Sequence, residues 1–150
     1  MILAAEHIFR GLRMLRRFVL TALILFAGAS TALAEEAHPF DAVAAAPESH
    51  IVLLENDKIR VLRVTVAPGA TEPIHNHRWP SVMYFEHAQP ITYIVYALVD
   101  GKPVETSRTD VPAEAMSGAQ SADPEGLHAV QNRGTEPFLA LRVEFKDGGL

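Results

Sequence analysis

The stretch from Gly69 to His77 decides the fold, and it reads GATEPIHNH. It places His75 and His77 one residue apart. Side chains two positions apart on a β-strand point to the same face, so both imidazoles can reach one metal ion. A second stretch, GAQSADPEGLHAVQN over residues 118–132, contributes His128. In a closed barrel its strand can lie beside the first, which makes His128 the third candidate ligand.

The chain from His50 onward has the composition of strands. Short runs rich in Val, Ile, Leu, Tyr and Thr are each ended by Gly, Pro, Asn or Asp. Turn signals recur at the spacing typical of an all-β sandwich or barrel, namely at Asn56-Asp57, Pro68-Gly69, Asp100-Gly101 and Asn132-Arg133-Gly134. We therefore expect an all-β domain without an amphipathic helix after residue 50.

Two strand-like segments carry different hydrophobic patterns. Near the end of the chain, Leu, Leu, Val and Phe at 139, 141, 143 and 145 alternate with Ala, Arg, Glu and Lys at 140, 142, 144 and 146. This alternation predicts that the first set is buried and the second set solvated. The segment Ile91–Val99 is apolar at both parities, which predicts coverage on both sides by a second sheet or by a partner; a homodimer would explain it.

In the two stretches that carry the histidines, the chain resembles the cupin superfamily. Gly69, five residues, His75, one residue and His77 match the opening of the first cupin motif. The second cupin motif is matched in its order of residues, which are here Gly118, Pro124, Gly126, His128 and Asn132. The resemblance covers roughly residues 50–146. It implies a double-stranded β-helix, the jelly-roll barrel, with a ligand or metal site in its mouth.

The chain departs from the cupin pattern at two places. The glutamate that usually continues the first motif is replaced by Ser81 and Val82, and strand alternation places Glu86 on the outer face. The second motif has one residue fewer than usual before His128. The remaining metal site is then His75, His77 and His128, which suits a divalent transition metal such as Fe, Zn, Cu or Ni, with Mn as a further candidate.

Positions near the histidines are candidates for a small-molecule pocket: Trp79, Ser81, Met83, Phe85 and Asn132. Trp79 has an alternative role as an edge residue that covers the barrel mouth, and Asn132 has a structural alternative. Tyr93 or Tyr96 could supply a phenol. The isolated histidines are expected at the surface or in ordinary packing: His38, His50 and His87.

The N-terminal segment has the order of a secretory signal peptide. Four arginines between residues 10 and 17 precede the apolar run Phe18–Ala29 and the sequence Ala32-Leu33-Ala34. The run is about a dozen residues long, short of the ~20 that span a bilayer. We expect a signal peptide helix over 1–34 (with Met14 as an alternative start), cleavage after Ala34, and a periplasmic or secreted protein without a membrane anchor. A flexible arm over 35–49 would precede the cupin domain at 50–150.

Charge and cysteine content exclude several functions. Four of the 13 Lys and Arg residues and one of the 18 Asp and Glu residues precede Glu35, which leaves nine basic and 17 acidic residues, a net charge near −8. Such a chain lacks the basic patch that nucleic-acid binding requires. The absence of cysteine excludes disulfides, thiolate metal sites and a cysteine nucleophile.

Three functions agree with these features. The first is a metal-dependent, dioxygenase-like enzyme acting on a small molecule, for which the sequence offers no evident general base. The second is a binding protein that holds a small molecule or a metal without turnover. The third is a structural cupin with a vestigial site.

Overall fold

Strands make up most of residues 38–147, the part of the chain that the computed structural model describes. The predicted signal peptide at 1–34 lies outside this part. No helix within residues 38–147 is long and apolar enough to cross a membrane. The elements, in chain order, are α1 (Ala42–Ala45), β1 (His50–Glu55), β2 (Ile59–Val66), β3 (His75–His77), β4 (Ser81–His87), β5 (Ile91–Val99), β6 (Lys102–Val111), a 3-10 turn (Ala113–Ala115), β7 (Gly118–Ala122), β8 (Glu125–Asn132) and β9 (Phe138–Phe145).

The strands form two antiparallel sheets. One sheet has the order β1-β2-β9-β4-β7 and the other has the order β3-β8-β5-β6. Asp100 and Gly101 form the two-residue turn between β5 and β6, with φ of 50° and 75°; positive φ at both positions is what such a tight hairpin requires. The predicted all-β fold is thus confirmed, with two antiparallel sheets consistent with a cupin barrel.

The last strand alternates as predicted, but its buried face is the opposite one. Along β9 the fully buried positions are 138, 140, 142 and 144, while 139, 141, 143 and 145 are half-buried. The prediction failed because it assumed an apolar interior. Here the interior is polar at one end, and Arg142 and Glu144 are only 2% and 0% exposed there.

The apolar core fills the space between the sheets beside this polar region. It is built mainly from β2, β5 and β9, and its buried members are Leu62, Val64, Val66, Ile91, Met116, Phe138 and Ala140. Met83 and Phe85 of β4 pack against it. The apolar core and the buried polar residues therefore lie side by side inside the barrel.

The described part of the 35–49 arm lies against the barrel. Ala42 and Ala46 are 0% and 1% exposed, and Asp41 caps α1 through its side chain. The Asp41 backbone also forms a parallel bridge with Asn76 of β3. This segment closes the barrel beside the histidines.

Candidate metal centre

The three histidines predicted from the two motifs converge inside the barrel. β3 pairs with β8 so that His75 lies opposite His128 and His77 lies opposite Glu125. The ring centroids of His75 and His128 are 4.4 Å apart, and that of His77 is 5.1 Å and 5.6 Å from them. All three side chains are at most 3% exposed. Strand pairing therefore creates the cluster that the spacing predicted.

A fourth imidazole, His50 at the start of β1, completes the cluster. Its ring centroid lies 4.5 Å from that of His75 and 5.2 Å from that of His77. His50 is 2% exposed, in contrast to the surface or ordinary packing position expected from the sequence. No motif includes it, because β1 reaches the site through its pairing with β2, in which His50 lies opposite Val64.

All four rings are held through the same nitrogen. Nδ1 lies 3.4 Å from the carbonyl oxygen of Ala46 in His50, 2.9 Å from that of Pro73 in His75, and 2.8 Å from that of Gly126 in His128. In His77 it lies 2.7 Å from Oε1 of Glu144. Carbonyl and carboxylate oxygens only accept hydrogen bonds, so Nδ1 carries the proton in each ring. Each neutral ring therefore keeps the Nε2 lone pair that ligates metals.

The environment keeps the rings neutral. Burial, with the neighbouring rings, lowers the pKa of His50 to about 2, and burial followed by the charge of His128 lowers the pKa of His75 to about 4. Burial, assisted by Arg142, holds the pKa of His77 well below 6.5, and burial also lowers the pKa of His128. Neutral imidazole is the form that binds metals.

Two carboxylates border the rings, although the usual cupin glutamate is missing. Burial alone would raise the pKa of Glu125, but the Arg142 guanidinium, with help from His128 and His77, holds that pKa at about 2. Glu72 is 6% exposed, and burial raises its pKa to about 8. Its Oε1 lies 3.7 Å from Nε2 of His75, and its Oε2 has no hydrogen-bond partner. The sequence analysis named neither carboxylate as a site residue. Glu72 and Glu125 each lie three residues before a motif histidine, in a turn or at the end of a strand.

These side chains form three overlapping groups in which every potential ligand atom lies within 4.8 Å of the others. The groups are His50, His75 and His77; Glu72, His75 and His128; and His77, Glu125 and His128. Imidazole and carboxylate together suit a divalent transition metal. The His-rich cluster thus fits a metal site.

A buried ion-pair network supports His77 from behind. Glu144 accepts from His77 through one oxygen and from Nε of Arg60 through the other, at 2.7 Å and 2.5 Å. Arg60 in turn donates to both carboxylate oxygens of Asp41, at 2.8 Å and 3.0 Å. Arg142, two residues before Glu144 on β9, donates a hydrogen bond to Glu125. Through these contacts the orientation of His77 depends on Asp41, the residue that caps α1.

A cavity of about 110 Å³ opens beside the histidines. Its polar end comprises the four rings with Glu72, Glu125 and Tyr93, and its other walls are apolar: Val64, Val66, Met83, Phe85, Ile91, Met116, Val130 and Phe138. An engineered cavity of about 150 Å³ holds benzene, so this space fits a molecule no larger than a single ring.

The predicted pocket residues divide into two sets. Met83 and Phe85 line the cavity. Trp79 instead packs its ring against the guanidinium of Arg60, at 4.8 Å. Ser81 is fully buried on β4 without lining the cavity. Asn132 donates to the carbonyl oxygens of Val66 and Glu136 and thus joins two backbone segments.

Tyr93 borders the cavity and contacts both an imidazole and a carboxylate. Its ring stacks on His128 with centroids 4.9 Å apart, and its hydroxyl donates to Glu125 at 2.9 Å. Burial and the charge of Glu125 raise the pKa of the phenol. The hydroxyl therefore stays protonated and remains a donor.

Several solved structures resemble the chain. A cupin domain from Bordetella pertussis is 17% identical, with a TM-score of 0.47 and coverage of 65% of this chain and 91% of that one. A cupin superfamily protein from Desulfitobacterium hafniense is 14% identical, with a TM-score of 0.38 and coverage of 64% and 74%. Both of these proteins are described as cupins, the family that the sequence resembles. A mutant of Bacillus subtilis oxalate decarboxylase is 24% identical, with a TM-score of 0.40 and coverage of 62% of this chain but 22% of that one.

No family model and no curated protein matches the chain. The likeness to solved cupins concerns the fold alone. What the chain binds must therefore be argued from its own residues.

Proposed function

We propose that this chain is an exported cupin that holds one divalent transition-metal ion through imidazoles of His50, His75, His77 and His128, and that it acts on a small, mostly apolar molecule beside that ion. The observation that carries the proposal is that Nδ1 of each of the four rings lies within hydrogen-bond distance of an oxygen atom. Each Nδ1 is occupied by an acceptor, which leaves four Nε2 lone pairs in one buried cluster.

The cluster is costly for a protein that holds nothing there. Four neutral acceptors that face one another have no proton to share, and a buried acceptor without a donor costs about 1–3 kcal/mol. Oε2 of Glu72 is also buried without a hydrogen-bond partner. A cation held by any one of the three overlapping groups would satisfy three of these side chains together. The donor set therefore fits a metal on chemical grounds.

The bound metal would supply Lewis acidity and, for iron, copper or manganese, redox chemistry. The chain's own residues would define what approaches it. Met83, Phe85 and Phe138 form apolar walls that exclude water and accept a small hydrocarbon body. The Tyr93 hydroxyl holds Glu125 in place, and the Arg142 guanidinium keeps that carboxylate ionised. Glu72, with its free oxygen, is the group best placed to exchange a proton with a bound molecule.

The second candidate is an exported binding protein without turnover. It is favoured because two polar groups at the cavity, Tyr93 and Glu125, are already engaged: Glu125 accepts hydrogen bonds from Tyr93 and from Arg142. Under this alternative the same metal site would capture a ligand and release it unchanged.

Metal analysis of the protein isolated from its host tests the common part of both candidates. We expect close to one transition-metal equivalent per chain by mass spectrometry, and a loss of that metal in the double variant His75→Ala/His77→Ala. The matched control is His38→Ala/His87→Ala, because both of these histidines are exposed. A metal content equal in the wild type and the His75/His77 variant would overturn the proposal.

Turnover separates the two candidates. The metal-loaded protein is mixed with small phenols, diketones and thiols, and oxygen uptake is recorded against the double variant. Uptake that requires His75 and His77 supports the enzyme. Binding of such molecules without uptake, measured by calorimetry, supports the binding protein.

A further inference from the structure

A second cavity, larger than the one beside the histidines, lies between the two sheets. We call it the seam cleft; it has a volume of about 490 Å³ and is lined by residues 46–49, 65–67 and 70–73. Residues 65 and 66 end β2, in the first sheet. On the other side, the backbone N–H of Glu72 donates to the carbonyl oxygen of Val130 on β8, in the second sheet, at 3.1 Å. The seam cleft is therefore bounded by one sheet on each side.

The seam cleft shares part of its wall with the cavity of about 110 Å³ beside the histidines, which we call the inner cavity. Val66 and Glu72 line both cavities and are 2% and 6% exposed. Ala46 and Pro73, which also line the seam cleft, provide the carbonyl oxygens that lie next to Nδ1 of two rings in the cluster. A single layer of residues therefore separates the seam cleft from the candidate ligands.

The two cavities differ in their access to solvent. None of the residues that line the inner cavity is exposed. The seam cleft, in contrast, has several exposed residues in its wall, among them Pro47, Glu48 and Thr71. A solute that reaches the seam cleft from solvent is thus separated from the histidines by the wall that contains Val66 and Glu72.

The seam cleft offers oxygen atoms and negative charge to a cation. Among its lining residues two are acidic, three carry hydroxyl groups and none is basic: Glu48, Glu72, Ser49, Thr65 and Thr71. Oε1 of Glu72 accepts a hydrogen bond from the N–H of Val130, while Oε2 is buried without a partner. Clefts lined by charges of one sign attract ions of the opposite sign and raise their local concentration.

We propose that the seam cleft is the entrance through which a hydrated divalent metal ion reaches the four histidines. This inference rests on the proposed metal site. Glu48 would receive the ion at the exposed end of the cleft. Glu72 would take it over at the buried end, because its Oε1 lies 3.7 Å from Nε2 of His75. Protein oxygens along this path would replace water ligands before the imidazoles do, and the side chains of Val66 and Glu72 would have to move aside for each passage.

The rate of metal uptake tests the charge of the entrance. Uptake of Co²⁺ by the metal-free protein is followed by its visible absorption after rapid mixing, and release is followed after addition of a chelator. Glu48→Lys should slow uptake about tenfold at low salt. Release should slow by the same factor, because the ion leaves by the same path, so the affinity is kept. Glu86→Lys is the control, since Glu86 is exposed on β4 and lines neither cavity.

Ionic strength provides a second measurement on the same variants. The screening length falls from about 30 Å at 0.01 M salt to about 8 Å at 0.15 M salt. The difference in uptake rate between Glu48→Lys and the wild type should therefore shrink over this range. A difference that does not depend on salt would show that the lysine acts on the fold and would count against an electrostatic entrance.

Two valines of β2 test the position of the entrance. Val64 and Val66 are both buried and both line the inner cavity, but only Val66 also lines the seam cleft. Val66→Ala would thin the shared wall, so uptake and release of Co²⁺ should both become several-fold faster with the affinity unchanged. Val64→Ala removes the same two methyl groups from the same strand and should leave both rates as in the wild type. Circular dichroism checks the folding of each variant.

The failure of the entrance can be distinguished from the failure of the metal site. A wild-type protein that binds no Co²⁺ would refute the metal site, and the entrance with it. A wild-type protein that binds Co²⁺, while Glu48→Lys and Val66→Ala exchange the ion at the same rates as Glu86→Lys and Val64→Ala, would leave the metal site intact and refute the entrance.

Discussion

Nδ1 of His77 lies 2.7 Å from Oε1 of Glu144, and both side chains are at most 2% exposed. A carboxylate in this position fixes the proton on Nδ1 and turns Nε2 toward the cluster. Glu144 therefore acts on the metal site through His77, as a positioning residue.

Glu144→Gln should weaken metal binding. The amide preserves the shape of the side chain but removes the charge that orients His77 and pairs with Arg60. We expect a loss of affinity of about 10–100-fold, the range typical of outer partners of metal ligands. Competition with a chromogenic chelator measures it. Glu86→Gln, at an exposed position of β4, is the control and should bind as the wild type does; equal affinities of the two variants would refute the role of Glu144.

His50→Ala tests the ligand that lies outside both motifs. Removal of one of the four converging rings should reduce metal affinity by at least the same ~10–100-fold. His87→Ala is the control because His87 is exposed on the same sheet. If His50→Ala retains wild-type affinity in the chelator competition, the metal is held by the motif histidines without it.

The metal-free protein should lose stability as the pH falls below 6.5. The pKa of all four rings is lowered by folding, so the unfolded chain takes up protons first and stability decreases from pH 6.5 downward. Glu72 acts in the opposite direction, because its pKa is raised to about 8 and it keeps a proton in the folded state. Because four rings oppose one carboxyl group, the unfolded chain takes up protons on balance, and the free energy of unfolding has a positive slope against pH below 6.5.

Urea unfolding of the metal-free protein at several pH values between 5 and 7 measures this slope. The variant His75→Ala/His77→Ala should show a clearly smaller slope, since it lacks two of the four rings that take up protons on unfolding. A free energy of unfolding that stays constant over this range would show that the rings are not held neutral.

Arg142→Met should destabilise the fold strongly. Arg142 is 2% exposed and lies beside both Glu125 and Glu144. Loss of its charge would leave the half-buried Glu125 carboxylate without its cation, while Glu144 would keep Arg60, at a cost of about 3–5 kcal/mol. Arg133→Met removes an exposed ion pair with Asp110 and should cost less than about 1 kcal/mol. Chemical denaturation compares the two, and a similar small cost for both would contradict the expected role of Arg142.

The sequence predicted those parts of the site that depend on local spacing. His75 and His77 share a strand face because they are two residues apart, and His128 joins them because its strand pairs with theirs. His50 and Glu144 were not predicted, since they arrive through long-range pairing of β1, β2 and β9 and carry no motif.

The face of β9 was predicted wrongly for a related reason. Alternation reveals which residues share a side of a strand, but hydrophobicity was used to decide which side is inner. Arg142 and Glu144 face inward because buried histidines and Glu125 provide them with partners there. Polar residues that satisfy one another inside a barrel cannot be distinguished by periodicity alone from residues that face water.

The pairing of Arg60 with Asp41 has a consequence for where the functional domain begins. Asp41 precedes the first strand by several residues, yet it belongs to the ion-pair network that ends at His77. A chain cut at residue 50 would keep every candidate ligand and still lose the carboxylate that anchors this network, along with the carbonyl oxygen of Ala46 that orients His50. The smallest unit able to assemble the site therefore includes Asp41, which lies within the arm predicted over residues 35–49.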